Sequence, residues 1–213
     1  MNDTALNSQA LGGKQEKPYL LAGWLAITMA VLFPLGFLIG IIQQVITAKI
    51  AHHFAPTFGI GDLIFLANTL ISVYVLLKFR KLLNETYDFK AINTLITLSI
   101  LWIVLFEVES IGIKLMMISM WPLKDLTVAL IQIPFMVFNL LAIGVVDLLM
   151  GLKLLKHKES LGGLFVPFAY ITLIAAICEL SLLLSPIALI LVPVSSVIMG
   201  MIFLREKEDV EFV

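Results

Sequence analysis

The feature that most constrains this fold is a set of six apolar runs, at about 20–43, 60–79, 92–113, 127–151, 165–184 and 186–204. Most are close to 20 residues long, the length of helix that crosses a hydrocarbon core of about 30 Å. Inside a bilayer each backbone N–H and C=O must be paired within the protein, which leaves helices or closed barrels as spanning structures. Runs of this length without two-residue alternation exclude a barrel. Composition agrees: 61% of the 213 residues are hydrophobic and 14% are charged, about half the charge of an ordinary globular domain. The expected fold is all-α, a polytopic membrane bundle of six transmembrane helices spanning 19–205.

Basic residues give an expected orientation. An even number of spans puts both termini on one side. That side would carry Lys14, Lys17, Lys78, Arg80, Lys81, Lys90, Lys153, Lys156, Lys158, Arg205 and Lys207, against Lys49, Lys114 and Lys124 opposite. The bias makes the termini cytoplasmic, in a multi-pass protein of the cell membrane. Residues 1–18 are polar and of mixed charge, without a cleavage site after a short apolar core. They read as a flexible cytoplasmic tail with the first helix retained. Residues 206–213 read as a short acidic tail.

The carboxylates within this apolar background are the candidate chemistry. Glu107 and Glu109 lie in the third run, and Lys114 follows. Two positions on a helix are about 200° apart, so the two glutamates face opposite ways and cannot form a dyad. Glu107 shares its face with Ser110 and Lys114, and Glu109 shares its own with Leu105, Gly112 and Met116. A carboxylate at a helix centre costs about 2.5–3.5 kcal/mol to insert. With the third helix ending near 113, Glu107 would lie roughly 9 Å from the outer face at 1.5 Å per residue. The same topology puts Asp62 and Glu179 toward that face and Asp147 toward the cytoplasm. Glu107, Glu179, Glu109 and Asp62, with Lys114, are therefore expected to form an outward acidic vestibule. Gln132, Asn139 and Asp147, with Asn68, Thr69 and Ser72, would continue a polar path inward or hold helices together by hydrogen bonds.

Other features exclude more than they suggest. Cys178 is the sole cysteine, so an intrachain disulfide or dithiol chemistry is excluded. His52 and His53, with Met116, Met117 and Met120, have the donor types for Cu(I). Adjacent histidines set no chelate geometry, however, and neither a metal nor a cofactor is expected. No zinc-protease, serine-hydrolase or phosphate-loop pattern is present, and nothing points to nucleic acid. The Asn84–Glu85–Thr86 sequon falls on the expected cytoplasmic side. Gly36 and Gly40 have the spacing for close helix contact.

Three readings remain open from sequence. One is a membrane protein that binds or moves a small solute, cation or proton through the acidic cavity. Another is a non-catalytic accessory subunit with a membrane-protein partner. The last is an enzyme working through carboxylates alone.

Overall fold

The computed structural model describes residues 19–51, 58–119 and 125–205. These residues form seven helices: α1 (Leu20–Ala51), α2 (Ile60–Thr86), α3 (Asn93–Ser119), α4 (Asp125–Lys156), α5 (Lys158–Leu161), α6 (Phe165–Leu180) and α7 (Ser185–Arg205). The expected tails at 1–18 and 206–213 lie outside the described residues, as do His52, His53, Met120, Trp121 and Lys124.

Five helices are long and apolar enough to cross a membrane: α1, α2, α3, α4 and α7. The fifth expected run, 165–184, forms a helix only as far as Leu180. Beyond it the chain turns. Leu182 takes φ 57°, and the Leu184 N–H donates to Ser181 Oγ at 3.0 Å. The third run departs the other way, continuing as helix to Ser119. Glu107 therefore lies about 18 Å from the end of its helix at 1.5 Å per residue, against roughly 9 Å for a helix ending near 113.

The long helices run up and down and pack in cyclic order, α1 on α2, then α3, α4, α6, α7 and back to α1. One end of this ring holds the start of α1 and the end of α7, here the terminus end. The other holds the start of α2 and the end of α3, here the distal end. The core is concentrated at the terminus end. Phe79, Leu82, Leu83, Ile92, Ile96 and Leu154 are fully enclosed there. The Phe79 ring packs 5.5 Å from Phe168, 6.1 Å from Phe165 and 6.2 Å from Phe203, measured between centroids. Tyr19 stacks on Phe203, and Tyr87 meets Phe165 edge-on. The turn from α2 to α3 closes this end. Asp88 takes φ 43° while the Phe89 N–H donates back to the Leu83 carbonyl at 2.9 Å, a Schellman-type stop.

Two seams bring backbones close. A Cβ on Gly200 would stand 2.8 Å from the Gly23 carbonyl oxygen, locking α7 to α1. A Cβ on Gly61 would stand 3.1 Å from Gly40 Cα. The Gly36/Gly40 spacing thus serves contact with α2, as the small-residue pattern predicts. Large apolar side chains such as Leu21, Val31, Leu70, Leu130 and Ile190 face outward. In water such a surface would aggregate, whereas lipid accepts it.

Candidate functional site

Above the aromatic plug the ring is hollow. The space is about 410 Å³, and all six ring helices line it. Each contributes a stripe at helical spacing. On α6 the stripe is Phe168, Thr172, Ala175 and Glu179; on α4 it includes Asn139, Ile143, Asp147 and Met150. Phe168 belongs to both the plug and the cavity wall. The side chains of Phe33, Phe65, Trp102 and Phe106 line other parts of the wall.

The cavity gathers three of the expected carboxylates: Glu107 from α3, Asp147 from α4 and Glu179 from α6. No Lys, Arg or His is among the described residues lining it. Glu107 accepts a hydrogen bond from the Thr69 hydroxyl at 3.4 Å. Glu179 is 4% exposed, and its Oε2 has no hydrogen-bond partner. Glu179 and Asp147 lie within electrostatic reach of each other. The register of α6 on α4 explains why. A Cβ on Gly144 would stand 3.2 Å from Glu179 Cβ, and one on Gly151 would stand 3.2 Å from the Ala169 carbonyl oxygen. Glu179 is thus level with Gly144, one helical turn from Asp147. Glu179, expected toward one face, and Asp147, expected toward the other, thus line the same cavity.

Several of the neutral polar side chains have their donors committed to their own helices. The hydroxyls of Ser72, Ser99, Thr172 and Ser196 each donate to the carbonyl four residues back in their own helix, at 2.7–3.0 Å. Their protons are committed, and their lone pairs remain available. Asn139 Nδ2 likewise donates to the Phe135 carbonyl at 2.8 Å. That leaves Asn139 Oδ1 without a donor, as is Asn68 Oδ1. Buried polar atoms are nearly always paired, so unpaired oxygens on several residues lining one cavity are unusual.

The remaining candidates fall elsewhere. Asp62 accepts the Gly59 N–H at 2.9 Å, capping α2, and is ion-paired with Lys114 of α3. Asp62 and Lys114 are not among the residues lining the cavity. Glu107 and Lys114 share the α2-facing side of α3, as helical geometry predicts. Glu109 points the other way, exposed beside Phe135 on the outside of the ring. Gln132 is half-buried and is not among the lining residues. Asn84 of the sequon lies in the last turn of α2, and Cys178 is buried. No cluster of His, Cys, Asp and Glu suited to a metal ion occurs among the described residues.

Sequence reasoning did not group Ser99, Thr172, Ser195 and Ser196 with the site. The signal was available, since each lies at helical spacing from a carboxylate or from another polar residue. Comparison with family models, curated proteins and solved structures finds no match.

Proposed function

We propose that this chain is a six-span protein of the cell membrane, both termini cytoplasmic, whose central acidic cavity binds a small cationic solute for passage or sensing. One observation carries the reading: Glu107, Asp147 and Glu179 line a single cavity with no basic side chain among them. Intramembrane carboxylates are costly to place and mark solute or ion sites more often than they mark packing. The sixth span would be α6, about 24 Å long at 1.5 Å per residue and seated in the ring between α4 and α7. The orientation follows from Lys78, Arg80, Lys81, Lys153, Lys156 and Arg205, all toward the terminus end.

The test is equilibrium binding of radiolabelled sodium, rubidium and methylammonium to the purified full chain. At least one should bind saturably, and Glu107→Gln and Glu179→Gln should each weaken it by tenfold or more. If neither these three nor a larger organic ammonium binds, or both variants bind as the parent does, the reading falls. A fluorescent protein fused to the C-terminus should fold and fluoresce, as it does only on the cytoplasmic side.

A second reading has its own observation. Glu109 is exposed on the outer surface of the ring, about 15 Å from the end of α3 at 1.5 Å per residue. A lipid-facing carboxylate at that depth suits a helix of another subunit bringing a donor. Co-purification of a second membrane protein, lost in Glu109→Leu, would support an accessory role.

A further inference from the structure

We infer that the ligand of the cavity is a protonated amine carried on an apolar, preferably aromatic, body, rather than a bare metal ion or a neutral lipid-like molecule. The inference rests on the cation-binding reading above and names its ligand class.

Three independent properties of the cavity meet in this chemistry. The first is charge: three carboxylates line the space, and no Lys, Arg or His is among the described residues lining it. The second is hydrogen-bond polarity. Asn139 is 6% exposed and Glu179 is 4% exposed, and each carries an oxygen without a donor, as does Asn68. The neighbouring hydroxyl protons are held by their own helices. These unpaired oxygens suit a ligand rich in N–H donors, and an ammonium group supplies up to three. The third is size and surface. A volume of about 410 Å³ is in the range of small-molecule pockets. It is far larger than a dehydrated metal ion needs. The rings of Phe33, Phe65, Trp102 and Phe106 line the space and offer apolar contact to such a body.

The alternatives each leave something unmet. A metal ion needs several oxygen ligands converging at 2–2.6 Å, and the described residues hold no such cluster. A neutral apolar guest would leave the oxygens of Asn139 and Glu179 unpaired. A quaternary ammonium has the charge but no N–H to give them. An alkylamine has a pKa of about 10, like a lysine, and is charged at neutral pH.

The experiment is calorimetric titration of the purified full chain with 4-phenylbutylamine. Two analogues of the same body serve as comparisons: neutral 4-phenylbutanol and trimethyl(4-phenylbutyl)ammonium. The amine should bind saturably and at least tenfold more tightly than either. It should also displace any methylammonium bound in the assay above. Glu179→Gln and Asn139→Leu should weaken the amine by tenfold or more, while Glu109→Gln, outside the ring, should leave it unchanged. Should a cavity variant fail to fold, the three-ligand series on the parent protein decides alone. Equal binding of the amine and the quaternary analogue, or of the amine and the alcohol, overturns the inference. If sodium, rubidium or methylammonium binds and 4-phenylbutylamine neither binds nor competes, the inference falls while the cation site stands. If no cation of either set binds, both fall.

Discussion

Phe79→Ala tests where the strength of this bundle resides. Phe79 is fully enclosed, with rings from α6 and α7 around it. In a soluble protein such a truncation costs about 3–5 kcal/mol, part of it from returning apolar surface to water. Here the helices separate into lipid or detergent, which is as apolar as the core, so that transfer contribution largely vanishes. The hole remains. Removing roughly 100 Å³ of ring at about 24 cal/mol per Å³ of cavity costs about 2.4 kcal/mol. The expected loss is therefore about 2–3 kcal/mol. Reversible unfolding in mixed detergent micelles, followed by circular dichroism, measures it. Leu70→Ala, on the outward face of α2, is the matched control and should change stability by less than about 0.5 kcal/mol. A Phe79→Ala loss no larger than the control's would refute the claim that the terminus end is the anchor of the ring.

Gly200→Ala should destabilise by about 1–3 kcal/mol in the same assay, through overpacking against the Gly23 carbonyl. Gly112→Ala meets nothing within 4 Å and should be neutral or stabilising by up to about 1 kcal/mol, as expected for alanine in a helix. For Asp62 and Lys114, a double-mutant cycle of Asp62→Asn and Lys114→Met should give a coupling of about 1 kcal/mol or less, because the pair is partly exposed. A coupling above about 3 kcal/mol would mean the pair is sealed from water. Cys178 is buried, so maleimide labelling of the folded protein should be slow and should become complete on denaturation.

Much of the fold was legible because lipid leaves few options. Run length and the absence of alternation were enough for helices, and 100° per residue separated Glu107 from Glu109. Helix ends were harder to read. The stretch from Leu180 to Leu184 is apolar or small, with no glycine or proline before Pro186, so nothing local marks the stop that hydrogen bonds at Ser181 make. That stop, with the contact at Gly144, sets the register of α6 on α4 and brings Glu179 beside Asp147. Both are pairwise properties of two helices and have no trace in either one alone. Asn139 shows the same limit. Its side chain could hold a neighbouring helix by a hydrogen bond, and only the geometry reveals that its amide serves its own helix and leaves the oxygen buried without a donor.

The division of the bundle into a packed end and a hollow end follows from the same physics. In lipid, helices gain little by burying apolar surface against one another, so association depends on close packing where side chains and backbones interlock. Here those contacts are aromatic at the terminus end and small-residue along the α1–α2 and α1–α7 seams. With the ring held there, its middle need not be filled, and polar residues can line a void without unfolding the chain. The cost of three carboxylates and unpaired amide oxygens around that void falls on a structure already secured elsewhere. A donor-bearing cation would relieve that cost, and binding it should stabilise the helices around the cavity more than the aromatic plug.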